Sequence, residues 1–177
     1  MSVFDEKYLM AEVASLSGLP KGKFQLWHGR YSITGAGHSP VGGGVKGAPR
    51  SFSFNHVMEF ALAKEFVEAG VSPSMAFKFA PFFAYTGGDA FEGTPERCPG
   101  LPFHFEHGRT LFAINAKGHW IGCWEPSNPG TLSEVFNALE NHFVMVNAST
   151  VFSRVCNRMG RHPYEILEEA YTCRPSI

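Results

Sequence analysis

Lys21, Gln25 and His28 recur at intervals of four and three residues. Side chains so spaced fall within about 60° of one another around an α-helix. Lys donates to guanine and Gln pairs bidentately with adenine in the major groove of a duplex, so such a stripe carries the chemistry of base reading. Around it, Gly18 to Arg50 holds Lys21, Lys23, Arg30, Lys46 and Arg50 and no Asp or Glu. Lys46 and Arg50 are candidate phosphate contacts, since these need only charge and reach. The whole chain of 177 residues hides this layout, with 15 Lys and Arg against 16 Asp and Glu. Residues 1–80 hold eight bases and six acids, a balance of +2, and residues 81–177 hold seven and ten, a balance of −3. A near-neutral total therefore does not exclude an anion-binding face in the first half.

Other chemistries are weaker. Gly42-Gly-Gly-Val-Lys-Gly47 resembles a phosphate cradle but lacks the Gly-Lys-Ser/Thr ending, and reads as a flexible loop tip. His104-Phe-Glu-His107, with Cys98 before it and Cys123 after it, matches no zinc spacing, so no metal ligands are assigned. Cys98, Cys123, Cys156 and Cys173 form no CxxC pair and read as reduced thiols. No nucleophile–base pairing, no paired carboxylates on one element and no cofactor fingerprint stands out. The chain is read as a non-enzyme without a cofactor.

The elements that would position the basic stripe follow from periodicity. Tyr8 to Gly18 has helical spacing ended by glycine, and Pro20 suits the first turn of a second helix, to about His28. Arg30–Ile33 and Arg50–Phe54 read as strands joined by a glycine-rich loop, a hairpin with a long tip. Asn55 to Ala69 is a helix with apolar residues on two sides, closed by Gly70, and Ser72-Pro73 caps another that Pro81 should end or kink. Residues 85–106 read as an irregular linker between domains. Beyond it Arg109–Asn115 and His119–Trp124 form a hairpin, Thr131 opens a helix to about Leu139, and Phe143–Val146 is a strand. Ala148–Met159 and Tyr164–Tyr171 are helices.

Ala14-x-x-x-Gly18-Leu19, then Phe24 and Trp27, Arg50-Ser-Phe52-Ser-Phe54, and Phe66-Val-Glu-Ala-Gly70-Val-Ser72 resemble the winged helix-turn-helix of MerR-type transcriptional regulators. The resemblance spans about residues 8–82. It implies a recognition helix over 20–28 in the major groove and a β-hairpin wing over 30–54 on the phosphates. Carried over by position, Lys21, Gln25 and His28 face the groove, Arg30 and Tyr31 begin the wing, and Arg50 meets phosphate. Nothing after Pro81 sustains the heptads of that family's dimerising helix, so neither metal or drug sensing nor promoter untwisting is carried over.

The expected architecture is α+β. A winged helix-turn-helix over 1–84 and a linker over 85–106 precede a β-hairpin/α+β module over 107–177 for dimerisation or effector binding. The expected function is a sequence-specific, double-stranded-DNA-binding transcriptional regulator, by default a repressor, acting as a homodimer through its C-terminal half. Two alternatives use the same fold: an excisionase-like architectural or recombination accessory protein, and a winged helix that contacts protein instead of DNA. Apolar residues at 44 % and charged ones at 18 % suit a folded chain. No run approaches the ~18 apolar residues of a membrane span. Asp5 and Glu6 stand where a signal peptide would be basic, so the expected location is cytoplasmic.

Overall fold

The computed structural model describes residues 3–31, 50–89, 95–124, 130–140 and 142–172. Seven α-helices occur among them: α1 (Met10–Ser17), α2 (Lys21–Arg30), α3 (Phe54–Glu68), α4 (Pro73–Tyr85), α5 (Gly130–Leu139), α6 (Ala148–Arg158) and α7 (Pro163–Thr172). Three strands, β1 (Arg109–Ile114), β2 (His119–Trp124) and β3 (Val144–Asn147), form an antiparallel sheet in the order β2-β1-β3. The fold is α+β, with the helices of the first half preceding the sheet.

Helix α3 organises the rest. Phe54, Val57, Met58, Phe60, Ala61, Leu62, Ala63 and Phe66 point to several sides of it and all are buried. A helix apolar on more than one side must be covered on each. Helices α1 and α4 pack on it from the first half, and α6 and β3 from the second. Phe54 meets Phe152 of α6 edge-on at 6.2 Å, and Phe66 meets Phe112 of β1 edge-on at 5.1 Å.

One hydrophobic cluster thus runs from Val3 to Leu167. The expected division at 85–106 does not separate two cores. Part of that segment is itself core, with Cys98, Leu101 and Phe103 buried. Arg97, only 5 % exposed, gathers the surrounding backbone. Its Nη1 donates to the carbonyls of Phe83, Cys98 and Leu101, and its Nη2 to those of Phe82 and Thr86. Phe82 and Phe83 lie in the last turn of α4, where carbonyls lack helical partners. A buried guanidinium there satisfies them and meets the negative end of the helix dipole. Burial lowers its pKa to about 10, which leaves it charged at neutral pH. Tyr171 of α7 clasps the same segment, accepting from Cys98 N–H at 3.1 Å and donating to Pro102 O at 2.7 Å.

Pro81 does not end α4, which continues to Tyr85. The proline removes one donor, but Ala80, Phe83 and Ala84 around it are fully buried and hold the helix. Of the hairpin expected over 30–54, Arg30 ends α2 and Tyr31 caps it, while residues 32–49 lie outside the described residues. Phe52 pairs with Tyr8 of the N-terminal segment, through hydrogen bonds of 2.8 and 2.9 Å. Phe54 already belongs to α3. The C-terminal order of two strands, helix, strand and two helices agrees with expectation, each element within about two residues.

Replacing Phe112 by Ala is expected to destabilise the chain by about 3–5 kcal/mol, the usual cost of deleting a buried aromatic ring. Because the core is shared, hydrogen exchange should rise in α3 and α4 as well as in the sheet. A rise confined to the sheet and α5 would show that the halves fold separately.

Candidate nucleic-acid interface

Helices α1 and α2 meet at Gly18, whose φ of +74° ends α1 in the left-handed region. Leu19 N–H returns to Ala14 O at 2.8 Å and Gly18 N–H to Ser15 O at 3.1 Å, the double bond of a Schellman turn. The φ of Gly18 favours glycine by conformation, and a Cβ there would meet only the movable guanidinium of Arg158, at 2.7 Å. Arg158 comes from α6 and donates from Nη1 to Leu16 O at 3.0 Å. Pro20 then precedes the first turn of α2.

Phe24 and Trp27 anchor α2, both almost fully buried. Phe24 packs on Phe60 with centroids 4.3 Å apart, and Trp27 meets Phe77 edge-on at 5.5 Å. The outward side carries Lys21, Lys23, Gln25, Leu26 and Arg30, all exposed. Lys23 Nζ lies 4.7 Å from the centroid of the Trp27 ring.

His28 does not belong to that exposed stripe and is corrected to a core position. It is 8 % exposed, stacked on Phe24 at 5.9 Å and edge-on to Phe52 at 5.4 Å. The reason is angular. Positions 24 and 28 are only about 40° apart on a helix, so a stripe centred between Phe24 and Trp27 takes His28 inward. Its Nε2 accepts from Arg50 Nη1 at 3.2 Å. Burial, and then the nearby Arg50 charge, lower the His28 pKa and hold the ring neutral, as the accepting role requires. His28 therefore orients Arg50, which is itself exposed.

Two further site residues sit in other settings than expected. Arg30 is the last residue of α2, and Tyr31 caps that helix through its N–H to Trp27 O at 2.8 Å. Gly29 does not stop a helix already fixed by Trp27 and His28. Tyr31 stacks on Phe77 of α4 at 6.1 Å and so faces α4, not the start of a wing. Lys46 and the rest of the expected wing tip lie outside the described residues. Leu26 was not singled out by sequence. A wheel recentred on Phe24 and Trp27 would have grouped it with Lys23 and Arg30 on the outer side.

Some of the chain's cations are neutralised by acids and others, Lys7, Lys78, Arg109 and Arg158 among them, are not in ion pairs with described residues. Lys64 pairs with Glu65 and Glu68, Lys117 with Glu140, Arg154 with Glu65, and Arg161 with Glu6. Lys21, Lys23, Arg30 and Arg50 have no carboxylate within ion-pair distance among the described residues.

His104, before the short 3₁₀ turn Phe105–His107, has Nδ1 3.4 Å from Glu106 and Nε2 3.7 Å from Glu168 of α7, and neither buried nitrogen has a hydrogen-bond partner among the described residues. Among the described residues, no group of His, Cys, Asp and Glu is placed to hold a metal. Cys98 and Cys156 are buried and Cys123 is half-buried, and burial pushes the Cys156 thiol up to about 12. Glu59 is 2 % exposed inside α3 and accepts from Tyr85 Oη at 2.7 Å, while its Oε1 has no partner. No family model matches this sequence, and no curated protein is similar to it. Among the described residues, no helix is long and apolar enough to cross a membrane.

Glu59 gives a pH test. Burial raises its pKa to about 7, against the lowering effect of the Tyr85 hydroxyl. A carboxyl raised in the fold stabilises fully below its unfolded value, and that contribution is lost as pH rises through about 7. Glu59→Gln keeps an oxygen for Tyr85 and removes the titration. The variant should match the parent near pH 4.5 and exceed it at pH 8 by roughly 3 kcal/mol in urea unfolding. An unchanged pH slope between 5 and 8 would assign the titration elsewhere.

Proposed function

We propose that the chain is a sequence-specific double-stranded-DNA-binding regulator that reads the major groove with the exposed side of α2. What carries this reading is the grouping of Lys21, Lys23 and Arg30 on one short exposed helix, none of them in an ion pair with a described residue. A short helix held from below by Phe24 and Trp27, after a tight turn at Gly18, has the form of a helix-turn-helix reader. The MerR-type resemblance points the same way. Lys21 and Gln25 read base edges, Leu26 meets a thymine methyl, and Lys23, Arg30 and Arg50 contact phosphates. His28 acts through Arg50, as a positioning residue. The protein is not assigned an enzymatic activity.

A duplex operator with two half-sites calls for two copies. Leu132 and Phe136 of α5 are one turn apart and 48 % and 52 % exposed, which supports self-association through the second half. Such a homodimer would act in the cytoplasm by occupying its operator, a repressor in the simplest case.

Genomic fragments retained by the purified protein supply the duplex for mobility shifts. Arg50→Ala should weaken every duplex alike and reduce the salt slope of binding by about 1. Gln25→Ala should instead alter preference among sequences, by about 1–3 kcal/mol at one position. Failure to retain any duplex at about 50 mM salt, or retention indifferent to both substitutions, would overturn the assignment.

A further inference from the structure

At the C-terminal end of α2 a cavity of about 520 Å³ opens, walled by Arg30 and Tyr31, by Phe77, Lys78 and Phe79 of α4, and by Ala116 of the β1–β2 turn. Its size lies within the roughly 300–1,000 Å³ of small-molecule sites. Two kinds of surface meet in it. Arg30 and Lys78 are exposed cations, neither is in an ion pair with a described residue, and no acid lines the cavity. The floor is aromatic: the Tyr31 and Phe77 rings are parallel within 12° with centroids 6.1 Å apart, and Lys78 Nζ stands 5.0 Å from the Phe79 centroid.

Cations alone would suit any phosphate, including those of a duplex. An aromatic floor in a three-walled concavity adds something that a DNA strand, lying on convex charged ridges, does not use. It fits a ligand that has a ring as well as a charge. Ser72, also in the lining, already accepts from Met75 N–H at 3.3 Å, so the cations remain the main recognition groups.

We infer that this cavity binds a small planar organic anion, whose carboxylate or phosphate meets Arg30 and Lys78 and whose ring lies against Tyr31. Arg30 then belongs to two surfaces, the ligand site and the outer side of α2. An occupied cavity engages this arginine and weakens duplex binding. That last consequence rests on the DNA-binding reading; the ligand site does not.

The test is calorimetric titration of the full chain, without DNA. Salicylate and adenosine 5′-monophosphate are the ring-bearing anions, salicylamide and adenosine their uncharged counterparts, and inorganic phosphate the ringless anion. At least one ring-bearing anion should saturate one site per chain. Its uncharged counterpart and inorganic phosphate should each bind at least about tenfold more weakly, and Lys78→Ala should weaken it by about tenfold. Lys78 is exposed, and Lys78→Gln, which keeps most of the stem, is a second variant should the alanine form melt early. Saturation by the carboxylate alone or the phosphate alone identifies the anionic group. The proposal fails if neither anion saturates below about 10 mM, if an uncharged counterpart or inorganic phosphate binds equally well, or if both Lys78 variants bind like the parent. Because no duplex is present, such a failure leaves the DNA-binding reading standing.

Discussion

Everything in the fold answers to the burial of α3. A helix with Phe60 on one side and Phe54, Met58 and Phe66 on others cannot present a side to water. Its first-half neighbours cover only part of it. The β1–β3 sheet and α6 cover what is left, which is why residues of both sequence grammars share one large cluster, beside a small second one of Ala113, Val135 and Leu139. The abundance of Phe, 17 residues in all, has its explanation here: rings meeting edge-on fill the seams between α3 and its neighbours α4, α6 and β1.

Charge follows from the same arrangement. Helix α6 is buried through Val151, Phe152, Val155 and Cys156, and its other side sends Arg154 to Glu65 of α3 and Arg158 to the end of α1. Arg161, just beyond it, reaches Glu6. The second half thus spends its arginines on the first half. Helix α2 receives no such partner among the described residues, and its cations stay outward. The grouping of Lys21, Lys23 and Arg30 on one short exposed helix is what makes α2 a candidate reader.

Element type and order were largely legible in the sequence, because period, caps and glycines act locally. Ser72 before Pro73, Asn147 before Thr150 and Gly18 after Ser17 all do what their types suggest. What was not legible depended on distant partners. The 85–106 stretch looks like a linker by composition, yet one arginine, Arg97, collects five carbonyls and turns it into packed structure. Phe52 has the alternation of a hairpin strand, but its partner is Tyr8, 44 positions earlier in the numbering. Within the site, Lys21, Gln25 and Arg50 were found exposed, and His28 was misplaced by a few tens of degrees around one helix. A wheel gives relative angles well; where its dry side is centred depends on which ring the rest of the chain presses hardest.

The guanidinium of Arg158 against Gly18 has a corollary. The α1–α2 pair is braced by a helix encoded some 140 residues downstream, so it is not a portable cassette. Grafted onto another protein, or released by truncation, it would lose this contact at its own elbow. Change in α6 therefore bears on how the α1–α2 turn is held, apart from any change in the outward side chains of α2.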